Sequence, residues 1–289
     1  MTSVADNTSG LRVGLKLAPQ NTTVDHLRRV WKLADQAGFD SVWNFDHFAA
    51  IHGDPEGDVF EGWTLLAAMA ESTQRVRIGC MVTGVTYRHP AVLAKMAVTV
   101  DHLSGGRLEF GLGAAWAEIE HTMLGIDLGS VKGRLDRFEE ACQVIRSLWT
   151  EPTTTFHGEH YHLTDALANP KPVQQPGPPL WIGGSGRRRT LKIVARYADA
   201  WNAAGGSVEE IADLSGVLDR HCHDVGRDPA QIRRTVQIRA DEGTDHLLKQ
   251  AEAFAGVGIG EVIVVVRGDD AVARAEQVAE ILPKLRSVG

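Results

Sequence analysis

Eight short apolar runs, each followed by a stretch of helical periodicity, recur along this chain, and that alternation limits the fold more than any single residue does. The runs are residues 11–17, 39–45, 76–82, 108–113, 180–182, 200–202, 232–239 and 261–266. They are rich in branched and aromatic side chains, as strands are. Helices are expected between and after them, over 23–38, 63–71, 90–103, 135–149, 189–197, 209–225, 246–254 and 271–285. The first of these starts at Thr23, repeats Leu27, Val30, Trp31 and Ala34 at helical spacing, and stops at Gly38. The third opens on Pro90, where a missing N–H costs a helix nothing. Such alternation calls for parallel βα units. A doubly wound sheet would alternate too, but eight repeats in 289 residues suit a (β/α)8 TIM barrel, which takes roughly 250 residues. The rhythm breaks only over 151–179, rich in Pro, His and Gly, which is read as an insertion with a small hairpin around Gly158. Residues 1–10 are expected to be a flexible leader and 11–289 a single domain.

Bulk properties exclude several classes of function. The net charge is −7 with both signs spread along the chain, so no basic stripe for nucleic acid is present. Cys80, Cys142 and Cys222 form no CxxC pair, and an odd, scattered set of cysteines fits reduced thiols in the cytoplasm. No apolar run approaches the roughly 18 residues of a membrane span. A soluble cytoplasmic protein acting on a small molecule, with neither membrane nor nucleic acid as partner, is expected.

In a parallel barrel the active site is assembled from the loops that follow the C-terminal ends of the strands. After the second strand, Asp46 and His47 place a carboxylate and an imidazole at the mouth, and imidazole suits proton transfer near neutral pH. The bland alternative is that His47 fills a loop. After the third strand, Cys80, Met81, Val82 and Thr83 precede Gly84, and small or sulfur-bearing residues there let a flat ring approach the backbone. Plain core is the alternative for this run. After the fourth, Gly111 and Gly113 lead to Trp116, but the third glycine of a GxGxxG fingerprint is missing, so these glycines are read as room for a ligand. Glu120 and His121 either join that pocket or lie on a helix surface. After the fifth, Gly183, Gly184, Ser185 and Gly186 run into Arg187, Arg188 and Arg189. Glycine-freed N–H groups at a helix start form a phosphate grip, although three consecutive arginines cannot all face one anion. A flexible, solvated basic turn is the alternative. The histidines at 157, 160, 162, 221 and 223 lack converging metal-ligand spacing, and no metal is expected.

Taken in order, Asp46-His47-Phe48, Val82-Thr83-Gly84, Tyr87-Arg88-His89-Pro90, residues 103–107 (LSGGR), Gly111 to Gly113, Trp116 with Glu120-His121, Pro170-Lys171-Pro172, residues 180–184 (LWIGG) and residues 197–202 (YADAWN) resemble the luciferase-like family of flavin- and coenzyme F420-dependent oxidoreductases. The likeness is to its actinobacterial F420-dependent members in particular. It implies a cofactor ring lying over a bulge in the third strand, with a non-proline cis peptide at Cys80–Met81. It implies cofactor contacts from Asp46, Cys80, Met81, Val82, Thr83, Gly113, Trp116, Glu120, Gly183, Gly184, Ser185, Gly186 and Arg187. His47 would be the catalytic proton carrier, oriented by Asp46 or by the backbone, and Trp63 and Trp116 would shape an apolar substrate pocket around His47. F420 would exchange a hydride with a small organic substrate, in a homodimer. Trp116 stands where F420-dependent sugar-phosphate dehydrogenases carry a glutamate, which points away from sugar phosphates. Two alternatives share the same barrel: an FMN-dependent monooxygenase using O2 and a partner flavin reductase, and a cofactor-binding protein without turnover.

Overall fold

Strand β1 (Arg12–Leu17) is followed by helix α1 (Val24–Ala37), which Thr23 caps by accepting the His26 N–H at 3.2 Å and Gly38 ends with φ 94°. The computed structural model describes residues 10–289, so nearly all of the expected leader lies outside the described residues. The chain continues through β2 (Ser41–Asn44), α2 (Gly62–Ser72), β3 (Arg77–Gly84), α3 (Pro90–Leu103) and β4 (Leu108–Gly113). Then come α4 (Glu118–Leu124), α5 (Val131–Thr150), and the strands β5 (Thr154–His157) and β6 (His162–Ala166). The second half alternates β7 (Leu180–Gly183), α6 (Thr190–Tyr197), β8 (Ala200–Ala203), α7 (Val208–Asp224), β9 (Arg233–Arg239), α8 (Thr244–Ala255), β10 (Glu261–Val266), α9 (Ala271–Glu280) and α10 (Leu282–Arg286).

Eight of these strands close into a parallel barrel in the order β1-β10-β9-β8-β7-β4-β3-β2. The two left over, β5 and β6, pair antiparallel as the hairpin of the insertion, where the Gly158 N–H reaches Tyr161 O at 2.9 Å. Three elements differ from the sequence reading. Helix α4 was not foreseen, because seven residues without a side-chain cap carry too little periodicity to register. Helix α5 starts at Val131, four residues early, because Ser130 caps the Gly133 N–H at 3.0 Å. The last helix is divided into α9 and α10 around Pro283.

The period of two along each strand sorts side chains between two cores. On β10, Val262, Val264 and Val266 face the helices, while Ile263 joins Trp43, Met81, Trp181 and Ala200 inside the barrel. Trp43 and Trp181 meet edge to face at 4.6 Å and fill the middle layer. Below them Glu261 accepts from Ser41 at 2.7 Å and pairs with Arg12 and Arg233 at 3.3 Å each, closing the N-terminal end with satisfied charges. The same register carries Lys16, Met81, Gly113, Gly183, Asn202, Gln237 and Val265 to the C-terminal end, where all of them line one cavity.

Candidate active site at the barrel mouth

The cavity holds about 520 Å³, within the range of small-molecule sites. Its floor is a bulge. Cys80 pairs with Phe110 and Thr83 with Leu112, so Met81 and Val82 on β3 face Gly111 alone on β4. Glycine is required opposite: a Cβ on Gly111 would sit 2.0 Å from Cys80 O, and one on Gly113 would sit 2.8 Å from a Val82 methyl. The non-proline cis bond is Met81–Val82, one residue beyond the expected Cys80–Met81, because counting back from Pro90 could not see the residue that the bulge inserts. Met81 and Val82 line the cavity, whereas Cys80 and Thr83 are buried behind it, 1% and 0% exposed.

Asp46 and His47 leave β2 side by side but have separate partners. Both Asp46 oxygens are held by Arg88, at 2.5 and 3.1 Å, and Arg88 also pairs with Glu61, the N-cap of α2. Burial pushes the Asp46 carboxyl up from its ordinary value while Arg88 pulls it back. Asp46 is therefore committed to Arg88, against the expectation that it was one of two groups, with the backbone, that could orient His47. His47 Nδ1 lies instead 2.7 Å from Glu120 Oε1. The Tyr87 hydroxyl donates to the same oxygen, and the N–H groups of Phe48 and Ala49 reach Oε2 at 2.6 and 3.4 Å. Burial alone would raise Glu120, but bonds from His47, Tyr87 and the Phe48 N–H bring it down to about 2. Glu120 is 0% exposed beneath His47 and so lies behind the cavity wall, not in it. Its neighbour His121 is also buried, bonding Ala117 O through Nδ1 and Thr86 through Nε2.

The two tryptophans of the expected substrate pocket part company. Trp116 lies at the rim, 63% exposed, with its ring 5.7 Å from that of His47. Trp63 is 2% exposed and is a core residue, because α2 turns it inward to donate from Nε1 to Thr83 Oγ1 at 2.7 Å. In the glycine loop, Gly183, Gly184 and Thr190 line the cavity, with Gly184 at φ 125°. Ser185, Gly186 and Arg187 are exposed and turned from the lining, because Arg187 is drawn to Asp213 at 2.5 Å and Arg189 to Asp136 at 2.7 Å.

The opposite wall was not foreseen in the sequence. Lys16 is buried and donates to Met81 O at 3.1 Å and to Gln237 Oε1 at 2.9 Å. Burial lowers its ammonium to about 8, and Arg267 adds to the effect. Arg239 and Arg267, at the ends of β9 and β10, line the same wall. Burial together with Arg267, Arg239 and Lys16 lowers the neighbouring His52 imidazole. A lysine at the next-to-last position of a buried strand was the one available signal for this wall.

Residues 7–254 match the sequence profile of the luciferase-like monooxygenases. The chain belongs to that family. This luciferase-like protein is 31% identical over 240 residues to an F420-dependent hydroxymycolic acid dehydrogenase of Mycobacterium tuberculosis, covering 83% of this chain but only 65% of that protein. An F420-dependent glucose-6-phosphate dehydrogenase of Amycolatopsis mediterranei is 31% identical over 245 residues, covering 82% of this chain and 71% of its own length. The solved structure of an F420-dependent secondary alcohol dehydrogenase in complex with an F420–acetone adduct superposes with a TM-score of 0.87 at 20% identity. That superposition covers 96% of this chain and 99% of the other, and it shows the shared fold. Among the described residues no helix is long and apolar enough to cross a membrane, and no cluster of metal-ligating side chains occurs.

Proposed function

We propose that this luciferase-like protein is an F420-dependent oxidoreductase that exchanges a hydride between the deazaflavin and a small organic substrate at the barrel mouth. The observation that carries this reading is the cavity floor, a strand bulge flanked by glycines, with the His47 ring at its side. The cradle fits a flat ring: Met81 and Val82 would lie against it, Gly113 and Gly183 leave room beside it, and Lys16 would donate toward its polar edge. The backbone at Gly184 and Thr190 would receive the phosphate at the start of α6. Bound there, the cofactor supplies the two-electron chemistry and the protein supplies position and proton transfer.

His47 has its Nδ1 occupied by Glu120, so Nε2 is the nitrogen free to hold or accept a substrate proton. Trp116, whose ring lies 5.7 Å from that of His47, would shield that nitrogen from water once substrate fills the cavity. Arg239 and Arg267 attract an anionic group on the far wall. A homodimer in the cytoplasm completes the reading, and sedimentation checks the dimer.

The test is a titration of ligand-free protein with F420 and with FMN, oxidised and reduced, followed by fluorescence. Preferential F420 binding with turnover of an alcohol or carbonyl substrate supports the proposal. Preference for reduced FMN would assign an O2-using monooxygenase served by a flavin reductase instead. Tight F420 binding without turnover across a broad substrate panel would assign a silent binding protein. His47→Ala should lower turnover about 10²–10⁴-fold while cofactor affinity stays within a few-fold.

A further inference from the structure

Glu120 is a buried carboxylate on α4 surrounded by hydrogen-bond donors, and among the described residues neither a lysine nor an arginine pairs with it. Its four donors are His47 Nδ1, the Tyr87 hydroxyl, and the N–H groups of Phe48 and Ala49. Three of these stay neutral, so His47 is the only one able to carry the balancing positive charge. The other nearby carboxylate, Asp46, is already balanced by Arg88 through both oxygens. Two acidic groups flank His47, and only one of them has charge left for it.

We infer that Glu120 is a positioning residue that fixes the proton of His47 on Nδ1, dedicates Nε2 to the substrate, and stabilises the imidazolium formed when that nitrogen takes a proton. The part of this inference that concerns substrate rests on the proposed function; the part that concerns the tautomer does not. A bond at 2.7 Å to a carboxylate favours a proton on Nδ1, and the low-dielectric setting strengthens that bond. Tyr87 competes for the same oxygen, so its hydroxyl moderates the pull of Glu120 on His47. Asp46 and His52 also interact electrostatically with His47, while Arg88 is held on Asp46 and His121 is stacked on Tyr87. Lys16, Arg239 and Arg267 act on His52 from the far wall. These background charges stay constant when Glu120 or Tyr87 is replaced, which is why paired variants isolate the carboxylate.

The experiment is ¹⁵N NMR of the imidazoles in ligand-free protein, with His47 assigned by His47→Gln. In the wild type, neutral His47 should carry its proton on Nδ1 and leave Nε2 bare. In Glu120→Gln the ring should become a mixture of tautomers, with the Nδ1 and Nε2 shifts moving toward each other. In Tyr87→Phe, which frees Oε1 for His47 alone, the tautomer should stay fixed and the Nδ1–H proton should move downfield as its bond to Glu120 strengthens. A residue that merely anchored the 47–49 loop would not weaken that bond in one variant and strengthen it in the other. An unchanged tautomer in Glu120→Gln, or no downfield movement in Tyr87→Phe, would overturn the inference. If Glu120→Gln does not fold, Tyr87→Phe decides alone: a downfield movement supports the inference and none overturns it. In turnover, Glu120→Gln should lower kcat about tenfold at neutral pH with little change in KM, a loss in the range of one positioned proton-transfer group. Because the NMR measurement needs no cofactor, a wrong cofactor assignment leaves it intact and shows up only in the turnover arm.

Discussion

Lys16 shows what a single residue can reveal about a site. Its ammonium is buried, donates to a carbonyl and an amide oxygen with no carboxylate partner among the described residues, and is lowered from an ordinary 10.5 to about 8. Between those two pH values the unfolded chain binds a proton that the folded chain does not, so stability rises with pH across the window. Below about pH 8 both states are protonated and the full penalty is present. At about 1.4 kcal/mol per pH unit, the wild type should gain about 2–3 kcal/mol from pH 8 to 10.5 that Lys16→Met does not gain. Urea unfolding across that range checks it, and parallel slopes would show that Lys16 is not the source. A group that weakens the fold at neutral pH and points into a cavity is a candidate for ligand binding. In the sequence, Lys16 read only as one more residue of a strand, whereas Asp46 and His47 were legible because a strand was seen to end just before them. Their partners were not legible: Glu120 lies 73 residues from His47, and Arg88 lies 42 from Asp46.

The bulged strand β3 and the short helix α4 shape the site as elements. The bulge exists because β4 offers glycine where β3 carries its extra residue, so strand and partner must be read together. Gly113→Ala should drive a methyl toward Val82 and lift the cavity floor. The expected outcome is at least a tenfold loss of cofactor affinity, with destabilisation of about 1–3 kcal/mol from overpacking. Calorimetric binding together with thermal melts checks this, and unchanged affinity would show that the bulge does not support the ring. Helix α4 presents Ile119, Met123 and Leu124 to solvent yet buries Glu120 and His121, an inverted amphipathicity that reads as surface in sequence. Only its docking against the turn after β3, where Tyr87 stacks on His121 at 5.1 Å, makes the polar pair the inner face.

At the scale of the whole molecule, closure joins the first strand to the last. β1 pairs with β10 over six residues, and the Leu11 N–H bonds Arg286 O at 3.2 Å, so α10 secures the seam from outside. Leu285 is fully buried there, and Leu285→Ala should cost about 2–5 kcal/mol in denaturant unfolding, far more than a solvated tail would. A loss below 1 kcal/mol would mean that the seam holds without the helix. The sequence by itself determined the alternation of elements, the parallel barrel, the insertion hairpin and the strand ends that carry Asp46, His47, Met81, Val82, Gly113 and Gly183. Those follow from local periodicity and from residues whose turn and capping preferences act over a few positions. Tertiary structure alone decided that Glu120 serves His47, that Arg88 takes Asp46, that Trp63 turns into the core, and that Arg187 and Arg189 leave the cavity for Asp213 and Asp136. The physical reason is that polar side chains choose partners by distance and desolvation. Both are set only when a closed barrel fixes the register of strands far apart in the chain.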